Sequence, residues 1–288
     1  MSGFRTYPPP DGGDPAVARF DVLPDYASGF AFHWRIRGGF SAPGPWTFRV
    51  QRGRTQEGPW SDVSPALSGC SCWKAPGGLR VSKSDTLFFR VVLSTPSGEF
   101  PSPVRSPYGD LSRDEFLIAR EIMRREVLHM AGMAGVECDV WNVASEGPRC
   151  PRCLDPVTGH PRDGRCRHCL GTGFDPPYLG PFRTWASFSE DSQHRVQEGQ
   201  EGEGVVEQRP FQARMACSVP VRKNDVVRDV RSGKCYFVNA SLSAAELRRV
   251  PLVRTLELSE AATTDPAYLA VTGRYGAGEA GEGGGHGA

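Results

Sequence analysis

The feature that most constrains this chain is a pair of CxxC turns, Cys150-Pro-Arg-Cys153 and Cys166-Arg-His-Cys169, with twelve residues between them. Each turn aims two sulfurs at one point. Two such turns complete a closed tetrahedral shell of four thiolates, the donor set of a structural zinc ion. The spacing is that of a compact ribbon or knuckle, slightly shorter than the commonest one. The stretch between the pairs, LDPVTGHPRDGR, is almost all turn-forming residues. It cannot bury an apolar core, so a metal is the natural source of its order. The competing readings are two disulfides or free thiols. His160 and His168 are alternative ligands, but four cysteines leave no vacancy. A full shell also argues against a catalytic zinc, which keeps an open position. The expected ligands of a structural Zn2+ are therefore Cys150, Cys153, Cys166 and Cys169.

The second turn continues as Cys169-Leu-Gly171-Thr-Gly173. This CxxCxGxG run resembles the cysteine-rich repeat of DnaJ-type chaperones over eight residues. No J-domain signature accompanies it, and the first pair lacks the trailing glycines. Gly171 and Gly173 are read as positions that need backbone freedom after the turn, and no chaperone activity is inferred. Arg149, Arg152, Arg162, Arg165 and Arg167 crowd the cysteines. They either neutralise the negative charge of a zinc tetrathiolate or form a phosphate-contacting patch.

At 288 residues the chain has room for two or three small domains. Abundant Gly and Pro favour strands and loops over helices. A net charge of +1 gives no whole-chain attraction to nucleic acid. Lysine is rare and arginine supplies most of the positive charge, which suits fixed interfaces with carboxylates. The other cysteines, Cys70, Cys72, Cys138, Cys217 and Cys235, are odd in number and unpatterned, so no disulfide framework is expected. A zinc tetrathiolate implies assembly in a reducing cytoplasm. Neither a signal peptide nor a bilayer-spanning apolar run is expected.

The fold class expected is mainly β and multidomain. Residues 1–16 read as an extended arm rich in Pro and Gly. Over 17–108, alternation in Phe30-Ala-Phe32-His-Trp34-Arg-Ile36, in Trp46-Thr-Phe48-Arg-Val50 and in 85–93 predicts half-buried strands. Short strands at this spacing suggest a β-sandwich. With Trp34 on an early strand, Phe88-Phe89-Arg90-Val91 on a late one and a closing Ser-Pro, the segment resembles a fibronectin type III domain.

Residues 109–180 are expected to hold an amphipathic helix and the zinc knuckles. Ser112-Arg-Asp-Glu115 is a capping box. Phe116, Ala119, Met123, Val127 and Met130 then recur at helical spacing, predicting a helix over about 113–131. Its apolar face packs on its own domain or on a neighbouring subunit. Residues 136–149 are read as a lead into the knuckles.

Residues 181–272 predict a small β-barrel of five or six strands. They comprise 184–188, 209–217, a hairpin over 225–238 with a Ser-Gly turn, 250–258, and a short closing strand at Pro266-Ala-Tyr268-Leu. The interruption from Glu190 to Glu207 is acidic and Gly-rich, as a mobile loop would be. The Gly- and Glu-rich stretch 273–288 is expected to be a disordered tail.

The order of these parts, with LSRDEFLIARE at 111–121, the two cysteine knuckles, and Asn224-Asp-Val-Val227 before Gly233-Lys-Cys-Tyr-Phe-Val238, resembles virion structural proteins of tailed bacteriophages. The barrel is similar to head-tail connector and stopper proteins. That resemblance implies a non-enzymatic, ring-forming subunit of the virion neck, assembled in the host bacterial cytoplasm. Its implied partners are copies of itself, portal or adaptor and tail proteins, and genomic DNA passing transiently through the channel, with no membrane. The acidic loop would then face the lumen and gate DNA. The alternatives are a baseplate or tail-terminal component and a zinc-dependent nucleic-acid-binding protein. The scattered histidines form no catalytic motif, and no nucleotide or dinucleotide fingerprint occurs, so catalytic and cofactor-binding residues are not expected.

Overall fold

The computed structural model describes residues 15–25, 29–40, 42–75, 87–155, 158, 162, 164, 166–190 and 211–272. The expected arm up to Asp14, the acidic loop beyond Glu190 and the expected tail lie outside the described residues. The protein is mainly β. In chain order, β1 (Val17–Asp25), β2 (Gly29–Ile36), β3 (Thr47–Gly53), β4 (Trp60–Asp62), β5 (Cys72–Lys74), β6 (Phe88–Thr95) and β7 (Gly98–Pro101) precede the first helix. They form two antiparallel sheets, one ordered β1-β2-β5 and the other β4-β3-β6-β7.

The alternation read from the sequence sorts these strands into faces. Phe30, Phe32, Trp34 and Ile36 are buried, while Arg35 is exposed. Across from them Phe48, Val50, Phe89, Val91 and Leu93 are buried from the second sheet. Phe32 meets Phe89 edge-on at 5.1 Å, and Trp34 meets Phe48 at 5.3 Å. Each such side chain withdrawn from water contributes ~1.5–3 kcal/mol.

The chain leaves the second sheet through a turn at Gly109, whose φ of +59° is the left-handed region. A side chain there would bring its Cβ within 2.4 Å of the Val22 carbonyl oxygen, so the turn requires glycine. Helix α1 (Arg113–His129) follows. The Ser112 hydroxyl accepts from the Glu115 N–H and the Glu115 carboxylate accepts from the Ser112 N–H, the reciprocal cap read from the sequence. Phe116, Ala119, Met123 and Val127 form its buried face. The helix ends in a π turn, Met130–Ala134, closed by the Gly135 N–H on the Met130 carbonyl at 2.7 Å.

The remaining strands are β8 (Val136–Val143), β9 (Tyr178–Glu190), β10 (Phe211–Ala216), β11 (Val226–Asp229), β12 (Cys235–Leu247) and β13 (Val250–Glu260). They close into an antiparallel barrel of order β10-β13-β12-β11-β8-β9. Closure leaves no free sheet edge. Two expectations are corrected here. Residues 136–143 are not a mere lead into the knuckles: they are the barrel strand that pairs with both β9 and β11. The barrel therefore begins well before residue 181, and the cysteine segment is an insertion between two of its strands. Pro266-Ala-Tyr268-Leu is not a closing strand. It opens helix α2 (Pro266–Val271), because Asp265 caps the Ala267 N–H and Pro266 occupies the first turn, where no N–H is needed.

The barrel interior holds Val140, Met215, Val227, Val238, Leu256 and Leu258. A second cluster of buried side chains does not stop at residue 108. It runs from both N-terminal sheets through α1 to Ala216, Val250, Leu252 and Val253 of the barrel. α1 thus lies between them, with Phe116 5.5 Å from the ring of Phe30. On its other side Arg214 makes a paired contact to Glu126. The β12–β13 turn places Arg248 and Arg249 at φ +51° and +68°, and Arg248 reaches Glu115 at 2.8 Å.

Candidate metal centre

The inserted segment between β8 and β9 begins and ends at a narrow neck. Arg149 bridges to Phe174, and its guanidinium lies 4.5 Å over that ring. The Cys150 N–H donates to the Gly173 carbonyl at 3.0 Å, and the Asp175 N–H donates to Pro148 at 2.9 Å. These short rungs bring the two CxxC turns face to face. Phe174 escaped notice in the sequence, although an aromatic directly after the second turn was its available signal.

Within the neck the backbone is shaped around the sulfurs. The Leu154 N–H reaches back to the Cys150 carbonyl, and the Arg162 N–H reaches the Cys153 carbonyl at 2.7 Å. In the second turn both the N–H and the hydroxyl of Thr172 donate to the Cys169 carbonyl. Leu170 and Gly171 then take left-handed φ of +51° and +79°, and Gly173 takes +78°. The backbone freedom read at Gly171 and Gly173 is used. At Gly171 a Cβ would lie 2.5 Å from the carbonyl oxygen of Gly164, two residues before Cys166, so the strand of chain entering the second turn could not pack against the one leaving it.

All four cysteines are buried and their sulfurs lie within 4.8 Å of one another. Cys150 and Cys166 are separated by 4.0 Å, and Cys153 and Cys169 by 3.4 Å. A disulfide requires ~2.0 Å, and all nine cysteines are free. A tetrahedron with metal–sulfur bonds of ~2.3 Å has edges of ~3.8 Å, so the cluster is sized for one ion. Without a metal, four thiols are an uneasy group. Burial pushes the Cys153 thiol up. Backbone N–H groups, that of Cys169 foremost, hold the Cys166 thiol down to about 7. Such donors favour the thiolate that a metal needs.

The side chains around the cluster have other occupations. His168 Nε2 is 3.1 Å from Asp175 Oδ2, an assignment outside the sulfur set. Arg162 pairs with Asp155 at 3.2 Å. His160 and Arg165 lie outside the described residues. The remaining cysteines do not join the cluster. Cys138 is in the barrel core and Cys235 packs beside α2. Burial pushes the Cys138 thiol up to about 12 and the Cys217 and Cys235 thiols up to about 11, as expected of unreactive core residues. Burial also raises the thiols of Cys70, just before β5, and Cys72, its first residue.

The arrangement can hold one metal ion in a closed, all-sulfur shell. Among the described residues this is the one cluster of potential metal ligands, and no helix is long and apolar enough to cross a membrane. Comparison with protein-family models, with curated proteins and with solved structures finds no match to this chain.

Proposed function

We propose that this protein is a non-enzymatic assembly subunit, and specifically a ring-forming component of a tailed-phage neck that joins the head to the tail. The observation that supports this reading is a set of apolar side chains exposed on α1. Leu117, Ile118 and Leu128 are 38 %, 55 % and 52 % exposed, and Met133 in the following π turn is 83 % exposed. Leu117 and Leu128 are about three helical turns apart, so they share a face. A second copy of the chain is the occupant proposed for that face. Glu121, which pairs with Arg124 and Arg125 between them, would set the register.

The metal proposed for the four cysteines is zinc, in a structural role, because a complete set of four thiolates leaves no position for substrate. It would hold a rigid projection on the barrel wall. The two N-terminal sheets are proposed to be a fibronectin type III-like sandwich carried on the outside of the ring. Portal or adaptor and tail proteins would contact the two rims. The acidic stretch after Glu190 would line the channel and gate DNA, and the protein would reside in the virion. A phosphate-binding role for the knuckle arginines is the weaker reading, since Arg162 is paired with Asp155 and Arg149 is stacked on Phe174.

The deciding experiment measures the native mass of the purified protein and its place in particles. A discrete ring in solution, or antibody labelling at the neck of virions, is the expected result. A monomer at all concentrations that shifts free DNA in a salt-dependent manner would instead favour nucleic-acid binding.

A further inference from the structure

A cleft of about 180 Å³ opens between the N-terminal sheets and the root of the cysteine insertion. Its walls mix rings, prolines and polar groups: the largely buried Trp34, Trp46 and Phe48 from the sheets, Pro45 beside them, Pro148 and Pro176 from the two arms of the insertion, and the polar Ser71, Asn142 and Asp175. At its edge the Glu146 carboxylate accepts from the Ile36 N–H at 2.7 Å and from Arg35 Nε at 3.2 Å, which fixes the insertion against β2. The volume is below the ~300–1,000 Å³ usual for a small-molecule site. It suits one or two side chains of a peptide better than a cofactor. Rings of Trp and Phe are what proline-rich segments dock against, because a polyproline helix has little conformational entropy left to lose.

The chain itself carries such a segment. Phe4-Arg-Thr-Tyr7-Pro8-Pro9-Pro10 lies in the stretch that precedes β1. The chain enters β1 at the rim of the cleft. Val17 is paired with Ile36, whose side chain lines the cleft, and the Ala16 carbonyl accepts from the Arg37 N–H at 2.8 Å. Between Tyr7 and Ala16 there is roughly 28 Å of chain at ~3.1 Å per residue, ample to turn back to a cleft at the point of exit. A tether of this length sets a local concentration in the ~mM range, so a weak intrinsic affinity is enough.

We propose that the Trp34–Trp46 cleft is the seat of the chain's own proline-rich segment, Tyr7 to Pro10. Seated there, the segment ties the N-terminal sheets to the neck of the cysteine insertion. This inference is independent of the ring reading, but it bears on assembly. The occupant comes from the same copy, as the short tether requires.

The test is photo-crosslinking of the intact chain with Tyr7 replaced by p-benzoylphenylalanine. Crosslinks are mapped by mass spectrometry. The expected product joins position 7 to the tryptic fragment between Arg37 and Arg49, which contains Trp46, or to the fragment ending at Arg149. A product at monomer mass is the expected result, and one found only at dimer mass would place a neighbour's arm there and overturn the proposal. Pro8→Ser, Pro9→Ser and Pro10→Ser together should reduce the crosslink at least ~10-fold, and this change leaves the cleft untouched. Crosslinks confined to other surfaces, no crosslink at all, or a yield indifferent to the three prolines would each overturn the proposal.

Discussion

His33 Nε2 lies 3.2 Å from the carbonyl oxygen of Ser218, joining β2 to the segment just beyond β10 across 185 residues of sequence. A carbonyl only accepts, so the ring donates through Nε2. The side chain keeps an edge on a second cleft, yet the surrounding protein pushes its pKa down to about 4, and Lys74, Arg254 and Arg222 add to the effect. A histidine depressed from 6.5 is protonated sooner in the unfolded chain. Its contribution to stability therefore rises with pH between about 4 and 6.5, and is lost as pH falls through that window. Asp225 opposes it. Burial raises its carboxyl to about 6 despite donation from Asn142, the Val143 N–H and the Arg222 N–H. Its contribution falls as pH rises from 3.8 to about 6. The intact protein should then show a shallow pH profile, and His33→Gln should uncover declining stability between pH 4 and 6. Urea midpoints at a series of pH values check this; an unchanged profile in the variant would rule out the assignment.

Purified protein should carry about one zinc per chain by elemental analysis. Replacing any one of Cys150, Cys153, Cys166 or Cys169 with Ser should abolish stoichiometric binding. It should also speed tryptic cleavage at Arg152 and Arg167 by ~10-fold or more while the barrel strands stay protected from hydrogen exchange. Metal-free protein with an equally protected insertion would refute the structural role.

Gly171→Ala tests whether the close packing around the second turn matters to the site. The new Cβ meets the Gly164 carbonyl at 2.5 Å and the φ of +79° is unfavourable for alanine. The expected result is a metal affinity at least ~10-fold weaker, equivalent to about 1.4 kcal/mol, with all four sulfurs still present. Competition against a chromogenic chelator reads it.

Phe116 is 2 % exposed and its ring contacts Phe30 and Tyr108. Phe116→Ala should cost ~3–5 kcal/mol. Because one buried cluster spans the sheets, α1 and part of the barrel, the loss should appear in a single transition. Tryptophan fluorescence and far-ultraviolet dichroism should give coincident denaturation curves. Two separated transitions, with only one displaced by the substitution, would show that the segments unfold independently.

Ile118→Asp combined with Leu128→Asp alters two of the exposed apolar side chains of α1 without touching its buried face. The monomer should remain folded, with a thermal midpoint within a few degrees of the parent. Self-association should weaken ~100-fold or more by sedimentation, as charges replace apolar contacts. Association of unchanged strength would place the subunit interface elsewhere.

What the sequence determined by itself is what depends on near neighbours. The four sulfurs were legible because a CxxC turn converges its thiols locally, whatever surrounds it. The α1 boundaries, its Ser112–Glu115 cap and the face containing Phe116, Ala119, Met123 and Val127 followed from a 3.6-residue period. The β11–β12 hairpin followed from its short turn. The tertiary structure decided where partners are distant. Residues 136–143 carry weak alternation, and they are a strand because closing the barrel supplies β9 on one side and β11 on the other. The run at Pro266 suggests a strand in the sequence because a brief apolar run fits either period. Its Asp265 cap, and the burial of Ala267 and Val271 one turn apart, settle it as helix. The cleft at Trp46 and the core shared across α1 were invisible in the sequence for the same reason. Their walls come from segments a hundred residues apart, and only packing brings them together.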